Sequence, residues 1–179
     1  DLEGYNIFKR VPGVNISFGP QTYHKLPSYL NDVLSGKHKK IIDNEFYKLD
    51  KFDVFPNRRK VSTSEYVAIQ EGCNNFCTYC VVPYTRGREY SRPVKDILAE
   101  IKWLLANGAQ EIVLGGQNVN SYHGEAPYIT IGQSKNTWRI ERLIQEVSTL
   151  SGLKRLRYLA SHPKDFTLDL MKTHEEIPV

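Results

Sequence analysis

The sequence has 179 residues, a net charge of +4 and a hydrophobic content of 40%. The length allows one domain of ordinary size, and the hydrophobic share excludes a disordered chain. The charge is too mild to predict a nucleic-acid partner by itself, but it is unevenly distributed. Two basic clusters flank the cysteines, and each fits either RNA phosphates or a solvated surface: Lys37, Lys39, Lys40, Arg58, Arg59 and Lys60 before them, and Arg86, Arg88, Arg92 and Lys95 after them.

Residues 1–35 are interpreted as the end of a small α/β unit. Residues 3–10 resemble a helix tail, and residues 14–18 alternate as a short strand. Apolar residues then recur at helical spacing until Gly36, which predicts a helix: Leu26, Tyr29, Leu30, Val33 and Leu34. Residues 36–63 are charged, contain proline and are predicted to form a linker.

From residue 64 onward, strand and helix patterns alternate. Strands are predicted at residues 66–70, 111–114 and 156–160, with helices at 94–105, 140–150 and 168–174 and the entrance to a fourth strand at 177–179. Repeated βα units predict parallel strands, in either a barrel or a doubly wound sheet. Both folds place ligands at the carboxyl ends of the strands, where the cysteine loop and the 115–120 loop fall.

The three cysteines, Cys73, Cys77 and Cys80, have the spacing C-x3-C-x2-C. Three thiolates can hold three irons of a four-iron cluster, whereas a closed structural site uses four ligands. The amino and carboxylate groups of S-adenosylmethionine can chelate the open iron. One electron can then cleave the carbon-sulfur bond of the cofactor and give a 5'-deoxyadenosyl radical. Two alternatives remain: a zinc site completed by a distant histidine, and a redox pair in Cys77-Thr78-Tyr79-Cys80.

The cellular compartment is predicted from the same cysteines. Their number is odd, they are clustered, and neither a signal peptide nor an apolar run of membrane length precedes them. We therefore expect a protein of the reducing cytosol, with no membrane partner.

The run QEGCNNFCTYCVVPYTRG, at residues 70–87, and the following Ser91-Arg92-Pro93 resemble the radical S-adenosylmethionine methylthiotransferases. Within that family, GQNVNSY at residues 116–122 is similar to the MiaB type, which adds a methylthio group to N6-isopentenyladenosine beside the tRNA anticodon. GPQTYHKLP at residues 19–27 resembles the end of the family's amino-terminal domain. Ser161-His162-Pro163 resembles a later loop of the family's barrel. The alternatives are a sister enzyme acting on threonylcarbamoyl-adenosine tRNA or a ribosomal protein, and a non-catalytic zinc-binding RNA module.

The resemblance implies a fold and a set of partners. Residues 64–179 would be the first half of a partial radical-SAM, TIM-like βα barrel, following the tail of the amino-terminal methylthiotransferase domain (1–35) and a linker (36–63). The cofactors would be a [4Fe-4S] cluster on Cys73, Cys77 and Cys80 and S-adenosylmethionine. The partners would be a tRNA anticodon stem-loop and an electron donor such as a flavodoxin, with the intact protein a monomer.

The resemblance also implies roles for individual residues. Tyr79 would lie near the adenine of the cofactor. Gly115, Gly116 and Gln117 would meet its methionine amino group, with Gln117 offering a neutral hydrogen bond, and Ser161 is included in the cofactor site. Arg86, Arg88 and Arg92 would meet RNA phosphates or the cofactor carboxylate.

Three further residues are given structural roles. Trp103 and Trp138 are expected to pack from helices, and His162 is expected to be a turn residue, since no second ligand lies at metal spacing.

Two features of the family are missing from this sequence. The methylthiotransferases carry a second cluster on three cysteines of the amino-terminal domain, and residues 1–72 contain no cysteine. They also end in an RNA-binding β-barrel domain. The chain is therefore expected to be a fragment, inactive by itself in sulfur insertion, with the second [4Fe-4S] cluster present only in the intact protein.

Overall fold

The computed structural model describes residues 3–44, 60–127 and 136–177. The chain divides into two compact units, a smaller one of residues 1–57 and 74–88 and a larger one of residues 58–73 and 89–179. Across the described ranges, no helix has the length and apolar composition needed to cross a membrane.

The smaller unit contains a parallel strand pair joined through a helix. Its elements are α1 (Asn6–Arg10), β1 (Ile16–Phe18), α2 (Leu26–Leu34), β2 (Ile41–Asp43) and α3 (Val82–Thr85). β1 pairs with β2 from Ile16 opposite Ile41 to Phe18 opposite Asp43. The predicted strand and helix of residues 1–35 are confirmed, whereas β2 lies in the segment interpreted as a linker and was not predicted.

Asp43 fixes α2 to the end of β2. Its carboxylate accepts hydrogen bonds from Lys25, at 3.1 Å, and from the Tyr29 hydroxyl. Burial and this adjacent carboxylate raise the pKa of Tyr29 to about 12. Gly36 follows α2 with a φ of +77°, the left-handed conformation that commonly ends helices.

The larger unit is built on a three-stranded parallel sheet. Its strands are β3 (Ser64–Ala68), β4 (Gln70–Glu71), β5 (Tyr90–Ser91), β6 (Glu111–Gly115), β7 (His123–Glu125), β8 (Thr137–Arg139) and β9 (Arg155–Tyr158), and its helices are α4 (Val94–Ala106), α5 (Ile140–Ser148) and α6 (Leu168–Glu176). The sheet has the order β3-β6-β9, and both pairings are parallel. The expected α/β class is therefore confirmed.

One face of this sheet lies in the core with α4 and α5. α4 begins after Pro93, which is suited to a helix start because a missing N–H costs nothing there. It buries residues at helical spacing, namely Val94, Ile97, Leu98, Ile101 and Leu104, in a cluster with Val67, Ile112 and Leu114 of the strands. Each such side chain contributes about 1.5–3 kcal/mol when it leaves water.

The other face of the sheet changes in character along the strands. At the amino ends of the strands this face is polar. Ser64 and Arg155 lie on either side of Glu111 and donate to its carboxylate, at 2.9 and 3.3 Å. Its last row pairs Ala68 with Gly115 at the carboxyl ends of the strands. A Cβ at Gly115 would begin 1.8 Å from the Tyr66 hydroxyl, so a larger residue would fit there only if the Tyr66 side chain moved.

Several short elements of the larger unit were not predicted. β4 and β5 form an antiparallel pair, and so do β7 and β8. Trp138 lies in β8, so its predicted helical position is wrong, although it is buried as expected, with the Arg142 guanidinium 5.1 Å from its ring centroid. Trp103 lies on α4 as predicted, but it is 44% exposed, so the expectation that it packs in the interior is wrong. The predicted fourth strand falls largely on residues 178–179, outside the described residues.

Candidate functional site

The three cysteines follow the short strand β4. Cys73 belongs to the larger unit, and Cys77 and Cys80 belong to the smaller one. None of the three cysteines forms a disulfide, and all three are partly exposed. The Cys80 N–H donates to the Cys77 carbonyl at 2.9 Å. Over the described part of the chain, no three His, Cys, Asp or Glu side chains are grouped so as to hold a metal ion. The donor type nevertheless fits iron, because soft thiolates are the usual ligands of iron-sulfur clusters.

Aromatic side chains accompany the cysteine loop. Phe76 adopts a φ of +48°, which is uncommon for a residue other than glycine, and its ring meets Tyr84 edge-on at 5.9 Å between centroids. Tyr79 is 88% exposed. An exposed ring of this kind can stack on a flat ligand. That Tyr79 lies near the adenine of the cofactor stays a prediction.

The loop after β6 lies beside the turn that carries Cys73. The Gly72 N–H donates to Oε1 of Gln117 at 2.8 Å, and a side chain at Gly116 would begin 2.5 Å from Oε1 of Gln70. The structure thus brings Gln117 next to the residue that precedes Cys73, while Gly116 lies against Gln70 and Gly115 pairs with Ala68. The contact expected between residues 115–117 and the methionine amino group of S-adenosylmethionine stays a prediction.

Gln70 was not singled out in the sequence, although it lies at the centre of this arrangement. Its side chain is buried, with 1% of the residue exposed. Its Oε1 accepts the backbone N–H groups of Gln117 at 2.9 Å and Asn118 at 3.1 Å, and its Nε2 donates to the Gly72 carbonyl at 2.8 Å. A polar residue at the end of an apolar strand was the signal that could have identified it.

Asn118 connects the loop after β6 to the loop after β9. Its Nδ2 donates to Asp165 at 2.7 Å, and its Oδ1 accepts the backbone N–H of His162 at 3.1 Å. His162 caps a 3₁₀ turn by accepting the Lys164 N–H at 3.2 Å, which confirms the predicted turn residue. Ser161 is exposed beside it, and its cofactor role stays a prediction.

Glu89 is a second residue near the site that the sequence did not indicate. Its side chain is 5% exposed, accepts the Ser121 hydroxyl at 2.7 Å and lies 3.0 Å from Nδ1 of His123. Burial raises the pKa of the Glu89 carboxyl, while the Ser121 hydrogen bond and His123 lower it.

Arg92 corrects one prediction. Its side chain is buried, and its guanidinium donates to Glu100 at 2.5 Å and to the Ala68 carbonyl at 3.0 Å. The expectation that Arg92 meets RNA phosphates is therefore wrong, because the cation is already used inside the larger unit.

The other basic residues differ in exposure. Arg88 is exposed and Arg86 is partly exposed. Lys37 pairs with Asp32 at 3.1 Å, and Lys40 lies 5.0 Å from the Phe8 ring centroid. Arg58 and Arg59 lie outside the described residues. The RNA roles of Arg86 and Arg88 stay predictions.

Three features are typical of a cofactor-binding α/β domain: a parallel sheet, a loop with three cysteines after its first strand, and glycines at the end of β6. The model of the radical SAM superfamily matches residues 67–175, which is more than half of the chain and includes all three cysteines. The chain belongs to the radical SAM superfamily. That membership carries S-adenosylmethionine and a [4Fe-4S] cluster as the cofactors of the fold.

Curated relatives narrow the comparison. The chain is 46% identical over 176 residues to the tRNA-2-methylthio-N(6)-dimethylallyladenosine synthase of Vesicomyosocius okutanii subsp. Calyptogena okutanii (strain HA). Proteins of the same name in Anaplasma phagocytophilum (strain HZ) and Delftia acidovorans (strain DSM 14801 / SPH-1) are 47% and 43% identical over 176 residues. These matches cover 97–98% of this chain, which spans 38% of the length of each relative.

Proposed function

We propose that the chain is the catalytic part of a tRNA methylthiotransferase that acts on carbon 2 of N6-isopentenyladenosine next to the anticodon. The observation that carries the proposal is the similarity to synthases of that modification, 43–47% identical along nearly the whole chain. Carbon 2 of an adenine is unreactive toward ordinary nucleophiles and electrophiles, so radical chemistry suits the reaction. An anticodon loop offers splayed, single-stranded bases to such a site.

The proposal includes the domain organisation. Residues 64–179 would form the first half of a TIM-like barrel, after the tail of an amino-terminal domain at 1–35 and a linker at 36–63. The parallel order β3-β6-β9, with α4 and α5 between successive strands, supports a barrel segment. For the whole protein, we propose a second [4Fe-4S] cluster and a flavodoxin-type electron donor. We also propose that it is a monomer in the reducing cytosol.

Individual residues of the chain would bind different parts of the two cofactors. Cys73, Cys77 and Cys80 would hold the cluster as thiolates, and Tyr79 would stack on the adenine. Gln117 and the side-chain-free Gly116 would receive the amino-acid end of S-adenosylmethionine, with Ser161 on a neighbouring loop. With both cofactors bound, the site supplies the one-electron cleavage of a carbon-sulfur bond that starts radical chemistry.

The first test is metal loading. Anaerobic reconstitution with iron and sulfide should give about four irons per chain and the broad visible absorption of a cluster. Replacing any one of Cys73, Cys77 and Cys80 by Ala should remove most of this iron, because each thiolate is one of only three protein ligands. Thr78→Ala, an exposed neighbour between two of the cysteines, is the matched control and should load normally.

Two results would contradict the proposal. A chain that binds one zinc and no iron would be the zinc-binding module, and a cysteine variant with full iron loading would exclude that cysteine as a ligand. Nucleoside analysis of a strain lacking the gene then separates the sister enzymes. Loss of the methylthio group from threonylcarbamoyl-adenosine, rather than from isopentenyladenosine, would exclude the proposed substrate.

A further inference from the structure

We propose that Gln70 is a positioning residue of the cofactor site, whose buried amide holds the 116–118 loop against the turn that carries Cys73. The inference rests on the proposed function, because it assigns Gln70 a part in binding S-adenosylmethionine. Gln70 would not touch the cofactor itself and would act through Gln117 and Gly72.

Three hydrogen bonds connect the turn and the loop, and a fourth lies within the turn. Nε2 of Gln70 donates to the Gly72 carbonyl at 2.8 Å, and the Gly72 N–H donates to Oε1 of Gln117 at 2.8 Å. The backbone N–H groups of Gln117 and Asn118 both donate to Oε1 of Gln70, at 2.9 and 3.1 Å. Each segment thus holds the other through a side-chain amide.

Only an amide of this length satisfies the arrangement. It donates through nitrogen and accepts through oxygen, whereas a carboxylate only accepts and a hydrocarbon does neither. Because Gln70 is 1% exposed, water cannot easily replace a lost partner. The backbone is shaped around the same side chain, since a Cβ at Gly116 would begin 2.5 Å from Oε1 of Gln70.

The position of this network explains why it matters for the cofactor. One side of it ends at Gly72, next to the proposed ligand Cys73, and the other side ends at Gln117, the proposed partner of the methionine amino group. A cofactor held at both points needs a fixed distance between them, and a small displacement of one point weakens binding. Gln70 sets that distance without being a ligand.

The test compares Gln70→Glu with Gln110→Glu. The first variant keeps the acceptor for two N–H groups but loses the donor to Gly72. The second makes the same chemical change at an exposed residue just before β6, at the opposite end of that strand. After anaerobic reconstitution, S-adenosylmethionine is titrated against the electron paramagnetic resonance signal of the reduced cluster.

We expect Gln70→Glu to load iron like the wild type and to bind S-adenosylmethionine about tenfold more weakly or worse, the usual effect of a buried group left without its partner. Gln110→Glu should bind normally. An unchanged dissociation constant and spectral shift in Gln70→Glu would overturn the inference. A wild-type signal that never responds to S-adenosylmethionine would instead overturn the proposed function.

Two further measurements keep the inference testable if the acidic variant folds poorly. Gln70→Met has similar length and no charge, and it should also weaken cofactor binding while loading iron. Hydrogen exchange of the wild type needs no substitution, and the Gln117 and Asn118 amides should exchange slowly, and more slowly with S-adenosylmethionine. Exchange of these amides at the rate of an open loop, with or without S-adenosylmethionine, would contradict the proposed network.

Discussion

At the scale of single residues, the larger unit buries polar side chains near the carboxyl ends of its strands. Gln70, Arg92 and Asn118 are each less than 8% exposed. Burying a polar group costs free energy unless its hydrogen bonds are made, and each of these residues has partners in the structure. The strand ends are therefore organised by polar contacts where a ligand is proposed to bind.

Glu89 gives a prediction about pH. Its pKa is raised above the ordinary 4.5, mainly by burial and further by Asp165, against the lowering effects of Ser121 and His123. Between the unfolded and the raised folded pKa, the folded state holds more protons, so stability falls as the pH rises through this window. We expect the unfolding free energy of Glu89→Gln, relative to wild type, to increase from pH 4 to pH 7.

Urea unfolding at several pH values measures this difference. Glu125→Gln is the matched control, because Glu125 is an exposed glutamate of β7. Its difference from wild type should change less with pH than that of Glu89→Gln. Parallel stability curves for wild type and Glu89→Gln would show that burial of this carboxylate has no energetic consequence.

At the scale of elements, long patterns were predicted and short pairings were not. The strands β3, β6 and β9 carry apolar residues bounded by turns, and α4 and α5 carry helical periodicity, so local sequence was sufficient for them. β2, β4, β5, β7 and β8 have two or three residues each and were not predicted, although β1, with three residues, was. Their pairing depends on contacts with distant segments.

The residues of the candidate site also fall into those that the sequence predicted and those that it missed. The cysteines proposed as cluster ligands lie close together in the sequence, and their proposed role comes from their spacing alone. The role of Gln70 depends on β6 lying beside β3, which brings residue 117 to residue 70, a relation no local pattern contains. Arg92 was mistaken for a surface cation because its partner Glu100 lies two turns away on a helix whose packing had to be known.

α6 provides the prediction at this scale. Its N-cap Thr167 accepts the Leu170 N–H at 3.1 Å and donates to the buried Glu141 of α5 at 2.5 Å. Thr167→Ala should lower the unfolding free energy by about 1–2 kcal/mol, since it removes a helix cap and a partner of a buried carboxylate. Thr167→Ser keeps the hydroxyl and should cost much less in urea unfolding. Equal stability of the two variants would contradict this account of the cap.

At the scale of the whole molecule, the residues proposed for the cofactor belong to both compact units. Cys73, Gln117 and Ser161 are part of the larger unit, while Cys77, Tyr79 and Cys80 are part of the smaller one. Three thiolates can hold a cluster only once the chain has brought them together. Cluster loading should therefore be coupled to folding, as for other metal sites that assemble with the fold.

RNA binding offers the last prediction, through two arginines close in sequence but different in structure. Arg88 is exposed in the smaller unit, whereas Arg92 is buried against Glu100 in the larger one. A phosphate contact releases counterions, so losing one makes the salt dependence of affinity less steep by about 0.7–0.9 in the log-log slope. We expect Arg88→Ala to make the slope less steep for a tRNA anticodon stem-loop.

The control variant is Arg92→Ala. It should leave the slope unchanged and lower the unfolding free energy, because Glu100 loses its buried partner. Filter binding over a series of salt concentrations, with circular dichroism to confirm folding, measures both effects. If Arg88→Ala leaves the slope unchanged, the cation belongs to the solvated surface, and a flatter slope for Arg92→Ala would mean that its burial does not keep it from RNA.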